Sequence, residues 1–321
     1  MKKRIIIYIV IAQIIIISGI GFNILQKKKK VLGEVSVNPI SKDEIIASVS
    51  GNLKYFYEPR ADTTDNEPYS VVLKANHTIN SDALNERVNY AVDKPSGVFR
   101  IITLGDSFTF GLHVDTKDNW TELLEDKLNS LACKNIKKFE VINLGMMGYD
   151  NVYSLERYRL RGEKYNPDLI IWYEVEMIRL KERTRPLEDE YFNDIQEKRK
   201  KENSEIQAQD YLDAVSKAQK DVVKQFGETA ILNLQIGKIK ELNSITNKPV
   251  LLILDRNIPD YQQDYIRQAL QKYKSKDFIE NISLNNPKLI FSDGHPNYEG
   301  QKVILENILS YLNKNKLIPC N

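Results

Sequence analysis

The sequence predicts an α/β protein: a doubly wound, three-layer parallel sheet of about five strands, with a helical insertion and an N-terminal membrane-spanning helix. Two observations carry the sheet. From Phe99 onward, short apolar runs that end in Gly or Asp alternate with longer amphipathic stretches, the pattern of parallel strands joined by right-handed helical crossovers. The runs are also almost continuously Val, Ile and Leu, as strands buried on both faces must be. A third observation carries the anchor: the chain opens with 21 uncharged residues from Ile5 to Leu25, flanked by Lys2, Lys3 and Arg4 and by four lysines from Lys27. A helix of that length spans roughly 30 Å, enough for a hydrocarbon core. A cleaved signal peptide is the rival reading, but the run is long for one and no small-residue cleavage site follows. Basic residues on both flanks blunt the positive-inside rule, and the expectation is an N-terminus inside with the long domain exported.

Taken in order, residues 1–30 are the anchor, residues 31–95 a tether and extended arm, and residues 96–321 the main domain. The arm contains strand-like scraps between turn residues. "FRIITLGD" is the first buried strand, and "DTKDNWTELLEDKLNSLACK" its helix, with Trp120, Leu123, Leu124, Leu128 and Leu131 on one face. "FEVINLG" is the second strand, "NVYSLERYRLRGEKY" the second helix, "PDLIIWYEV" the third strand, "KPVLLILDR" the fourth and "PKLIF" a weak fifth. "NYEGQKVILENILSYLNK" is the last helix. Between the third and fourth strands lies far more chain than one crossover needs. This charge-rich insertion, about residues 180–226, repeats Tyr211, Val215, Ala218 and Val222 at helical spacing. It reads either as a helical pair on the rim or as a cap over a ligand site.

Composition excludes several classes. A net charge of +2 from 46 basic and 44 acidic residues leaves no excess for a nucleic-acid surface. Three histidines and two cysteines, without Cys-x-x-Cys or His-x-x-x-His spacing, argue against a metal site. Cys133 follows the first helix and Cys320 the last. Such helices lie side by side in a doubly wound sheet, so a disulfide is geometrically open, as are two unrelated thiols.

The candidate chemistry centres on "GDSFTFG". Ser107 stands where the first strand turns into its helix, at the carboxyl edge where open α/β sheets bind ligands. A serine hydroxyl is a weak nucleophile until an imidazole takes its proton and a carboxylate orients that imidazole. His295 in "DGHPNYEG" precedes the last helix, with Asp293 two residues before it. The strands that precede both segments end at one edge of the sheet, so Ser107 and His295 can meet.

These residues resemble the SGNH, or GDSL, hydrolases. "GDSFTFG" resembles the family's first block, with Ser107 as nucleophile. "VINLGMMGYDN" resembles its second, with the Gly148 N–H binding the oxyanion beside that of Ser107. "DGHPNYEG" resembles its last, with His295 as base and Asp293 as orienting acid. The resemblance covers about residues 70–310 apart from the insertion, and "TINSDALNERVNY" ahead of the first block is similar to exported, tethered members. It implies a flavodoxin-like sheet and a serine esterase acting on small acyl esters, without metal or cofactor. Together with the anchor it implies an acylated surface glycan or lipid as substrate, no nucleic acid, and a single-pass protein whose domain lies outside the cytoplasm. An acyltransferase of the same fold and a degenerate binding module are the alternatives.

Two departures stand against the family pattern. The third block should end in Gly-x-Asn-Asp, and its Asn donates to the oxyanion; here Met177 holds the Asn position and Ile178 the Asp position, with Arg179 as a substitute donor. Loss of one such donor costs ~10²–10³ in rate. The last block is one residue short, Asp-Gly-His rather than Asp-x-x-His, with Ser292 at the usual acid position. Elsewhere, Asp106 is expected to shape the turn. His113 has no evident partner, and His77 is expected at the surface of the arm. Glu174 and Glu176 alternate onto one solvent-reachable face at the end of the third strand, the second candidate site.

Overall fold

The computed structural model describes residues 45–46, 53–66, 75–271, 277–284 and 286–320. The expected anchor, and the tether up to residue 52 apart from 45–46, lie outside these residues. Among the described residues no helix is long and apolar enough to cross a membrane.

Two small antiparallel pairs come first: β1 (Ile45–Ile46) with β2 (Glu58–Pro59), and β3 (Thr63–Asn66) with β4 (Asn76–Ile79). The main sheet follows, built from β5 (Val98–Gly105), β6 (Lys138–Asn143), β7 (Leu169–Glu174), β8 (Val250–Asp255) and β9 (Asp277–Ile282). All its pairings are parallel, in the order β6-β5-β7-β8-β9, so β5 lies between β6 and β7 and leads straight to Ser107.

Alternate residues of each strand feed opposite cores, as the two-residue period of a strand requires. Ile101, Val141, Ile171, Leu251 and Ile253 pack under α2 (Trp120–Asn129) and α8 (Tyr298–Lys314). Ile102, Leu104, Ile142, Ile170, Trp172 and Leu252 pack under α3 (Asn151–Arg157), α6 (Glu228–Ile245) and α7 (Asp260–Leu270). Every residue of β7 and β8 is buried. The sheet is therefore covered on both faces, as the sequence predicts. Trp120, Leu124 and Leu128 form the inward face of α2.

The fifth strand is a correction. It is Asp277–Ile282, not the "PKLIF" segment, which makes only the isolated bridge Ile290–Pro296 and belongs to the loop before His295. As an edge strand β9 pairs only with β8, and a strand with one neighbour tolerates a polar sequence that does not read as a buried run.

The insertion is a helical pair, α4 (Lys181–Lys201) and α5 (Ala208–Phe226). Ala214, Ala218 and Val222 are buried along α5, and Arg199–Asp210 (2.7 Å) and Tyr191–Asp221 (2.7 Å) join it to α4. The first turn of α4 is rooted at the carboxyl edge of the sheet: Lys181 N–H donates to Asp150 (2.7 Å), and Tyr153 donates to Glu182.

The arm packs on the main domain. Phe56 lies against Tyr149 and Tyr153, and the carboxylate of Glu58 is buried against Arg157 (2.9 Å) and Arg161 (2.8 Å). His77 is fully buried against Phe110 and the Gly111 carbonyl, not exposed as expected, because the arm folds over the end of β5. Cys133 and Cys320 form a disulfide that joins the segments following α2 and α8.

Candidate active site

Beyond β5 the chain turns sharply at Asp106, whose carboxylate caps the four-residue helix α1 (Ser107–Phe110) by accepting from Phe108 N–H at 3.0 Å. Asp106 thus has the turn-shaping place expected of it. Ser107 is the first residue of α1, and its Oγ stands 2.8 Å from His295 Nε2. His295 Nδ1 stands 2.9 Å from Asp293 Oδ2. The structure therefore brings together the three side chains that the sequence selects, across 188 residues.

The short Asp-Gly-His spacing works because Asp293 grips the following histidine twice. Its Oδ1 accepts the His295 backbone N–H at 3.1 Å while Oδ2 takes the ring. Gly294, at φ +95°, makes the tight turn, closed by Gly294 N–H to Phe291 O (3.0 Å) and Phe291 N–H to His295 O (2.8 Å). An L side chain at that φ would be strained. Asn297 then caps α8, and the Phe108 ring lies 5.4 Å from the imidazole.

His113 is the residue that sequence reasoning misses. Its Nε2 lies 2.8 Å from the same Asp293 Oδ2 that serves His295. Its only sequence signal is a histidine six positions after the serine, on the way out of α1. Burial works to raise the Asp293 carboxyl, but hydrogen bonds from His113 and His295 outweigh it and hold the group well below the usual carboxylate range. It is an anion throughout ordinary conditions.

His113, Asp293 and His295 also form the kind of donor set that holds a metal ion. Their geometry fits protons better. Ligand atoms around tetrahedral zinc, with bonds of ~2.0–2.1 Å, stand about 3.3 Å apart. Here both nitrogens approach one oxygen to 2.8 and 2.9 Å, ordinary N–H···O separations.

Gly148 lies on the loop after β6, the strand beside β5, at φ +65°. That loop packs directly on α1: a methyl added at Gly145 would meet Phe110 N at 2.4 Å. Among the described residues no turn, loop or side-chain acceptor takes the N–H of Ser107 or of Gly148. Tyr57, from the arm, donates to Met147 O next to Gly148. Burial pushes its phenol up, so it stays protonated.

Met177 fills a place in the apolar cluster under α3, α6 and α7, 1% exposed, with Asn151 Nδ2 donating to its sulfur at 3.6 Å. Arg179 is paired with Glu176 at 2.8 Å and stands 3.7 Å from Asp106. The Glu174–Glu176 pair does not form the solvent-reachable site expected. Glu174 is buried at 4% exposure, whereas Glu176 is half-buried and bound to Arg179 and Gln219. Burial first, then the charges of Asp106 and Asp150, push the Glu174 carboxyl well up.

No protein-family model matches this chain, and no curated protein matches it. Among solved structures it is similar to TesA (17% identity, TM-score 0.43, covering 68% of this chain and 99% of that one). It is similar also to the psychrotrophic esterase EstA from Pseudoalteromonas sp. (18%, TM-score 0.39, 68% and 98%). A third is a catalytic variant of Axe2, an acetylxylan esterase from Geobacillus stearothermophilus (13%, TM-score 0.44, 68% and 95%). These likenesses are loose, and the functional reading rests on the site itself.

Proposed function

We propose that this chain is a serine esterase of the SGNH type. The observation that carries the reading is the unbroken relay from Ser107 Oγ to His295 Nε2 and from His295 Nδ1 to Asp293 Oδ2, at 2.8 and 2.9 Å. With Nδ1–H donated to an ionised Asp293, the lone pair of Nε2 faces the serine hydroxyl. Ser107 Oγ attacks an acyl carbonyl as His295 takes its proton, and the carbonyl π pair moves onto oxygen. The N–H groups of Ser107 and Gly148 receive that oxyanion. His295 then returns the proton to the departing alkoxide oxygen, leaving an acyl-serine. Water, deprotonated by the same imidazole, releases the acid.

The substrate in this proposal is a small acyl ester on a surface glycan or lipid. The anchor at residues 5–25 holds the catalytic domain, residues 96–321, outside the cytoplasmic membrane, with residues 31–95 as tether and arm. The Cys133–Cys320 disulfide supports an exported domain, since such bonds persist in oxidising compartments. Acyl transfer differs only in using a hydroxyl other than water in the second step. A binding module without turnover is the second reading, and the burial of Met177 favours it, since that position offers no oxyanion donor.

The test is labelling of the full-length chain by a fluorophosphonate, with the modified peptide identified by mass spectrometry. Adduct on Ser107, abolished in His295→Ala, is expected. A folded protein that takes no label at Ser107 overturns the esterase reading in favour of the binding module.

A further inference from the structure

We propose that His113 is a positioning residue for the relay: by donating Nε2–H to Asp293 Oδ2, it fixes the carboxylate that in turn fixes the base. The inference rests on the esterase reading above and goes beyond it, because nothing in the family resemblance assigns this residue a role.

Asp293 itself has to be oriented before it can orient His295. A carboxylate rotates over a broad two-fold well about its last torsion. Among the described residues, the hydrogen bonds on this carboxylate apart from that of His113 come from His295 itself, through its backbone N–H (3.1 Å) and Nδ1 (2.9 Å). If those were all, the acid would be oriented by the residue it is meant to orient. His113 supplies an independent reference at 2.8 Å, and it comes from the nucleophile's own segment, two residues past Gly111, the C-cap of α1. The bond therefore ties the serine turn directly to the Asp293–His295 turn, over 180 residues of chain.

The imidazole is held to this task. Its side chain is 3% exposed and meets the Phe291 ring edge-on at 5.7 Å and the His295 ring at 5.2 Å. Its backbone sits at φ +72°, a conformation that a non-glycine residue adopts at a cost. Backbone strain of this kind persists where surrounding structure enforces it, and it concentrates at functional sites. Here the enforced φ belongs to the residue that binds the catalytic acid.

The test uses two amides that differ in reach. The Nε2 of Gln lies about where the His Nε2 lies, so His113→Gln keeps a donor for Asp293; His113→Asn is one carbon too short, yet Asn tolerates the left-handed backbone better than most residues. Fluorophosphonate labelling rates at Ser107 and hydrolysis of p-nitrophenyl acetate are measured on the full-length chains. Asn is expected to lower the labelling rate and kcat by ~10–10²-fold with KM little changed, the size typical of losing a partner that orients a site ligand. Gln is expected to restore most of that rate. In an Asp293→Ala background, where nothing remains to be positioned, His113→Asn is expected to cost less than about 2-fold. Equal rates for Asn, Gln and the parent overturn the proposal. So does a His113→Asn penalty of the same size with and without Asp293, which would mark His113 as structural only. Absence of label at Ser107 in the parent chain is the separate result that removes the esterase reading.

Discussion

Around Ser107, polar atoms are joined end to end: serine to His295, His295 to Asp293, Asp293 to His113, all within 2.9 Å. At the end of β7, one strand away, the construction is different. The Glu174 carboxyl is buried near Asp106 and Asp150, Met177 turns into the apolar core, and Arg179 is paired with Glu176 and stands 3.7 Å from Asp106. On the esterase reading proposed above, the first region is the one that activates the serine. The second is where the resemblance places an oxyanion donor, and here it offers packing instead. On that reading the proton-transfer side has all three side chains in place, and the charge-stabilising side is left to backbone donors.

The largest effect is expected at the relay. Asp293→Asn keeps the shape of the acid but puts an amide where Nδ1–H needs an anion, and an ester-hydrolysis assay should show kcat falling by about 10⁴, as such a change does in serine-protease triads. Retained activity in that variant would show that the relay is not the working part. At the other region a smaller and different effect is expected. Met177→Asn recreates the family's residue, but this position faces an apolar cluster. Thermal or denaturant unfolding should show a loss of about 1–3 kcal/mol for a buried, poorly satisfied amide. Turnover should stay within about 2-fold of the parent, since no recovery of the ~10²–10³ carried by an oxyanion donor is expected. A gain of that size would show that the corner opens onto the oxyanion after all.

The smallest effect is expected in the pH dependence of stability. The folded-state pKa of Glu174 is raised, chiefly by burial, so between the ordinary carboxylate range and that raised value the folded chain binds more protons than the unfolded one. Stability contributed by this group is therefore fully present at low pH and lost as pH rises through the window. Glu174→Gln removes the effect, so melting temperatures at pH 5 and pH 8 should lie closer together than in the parent. Asp293 has the opposite sign. Its depressed pKa makes its contribution present above the ordinary carboxylate range and lost only in strong acid. An unchanged gap in Glu174→Gln would show that the β7 corner is wetter than its burial implies.

Much of this was legible in the sequence because the elements are strongly patterned. Strands buried on both faces read as unbroken apolar runs, and α2 declared its inward face through Trp120, Leu124 and Leu128. Ser107 and His295 could be paired because each stands beside a helix start at the carboxyl edge of the sheet. His113 could not be, since its partner is 180 residues away and a lone histidine in a loop carries no periodicity. His77 was hidden for a related reason: only the fold of the arm over β5 decides that it is buried. Edge position concealed β9, and the Glu174–Glu176 alternation could not reveal that only Glu174 is enclosed.

The bond between Cys133 and Cys320 also bears on survival among proteases. α8 starts three residues after His295 and ends shortly before Cys320, so His295 is spliced into a stretch fastened at its far end to the segment that follows α2. The exposed turn at 201–205, between the paired helices of the insertion, is a natural place for an endoprotease to cut. A cut there separates Ser107 from His295 in sequence but not in substance. One half keeps the serine and Cys133, the other keeps the histidine and Cys320, and the two remain one covalent particle until a reductant divides them.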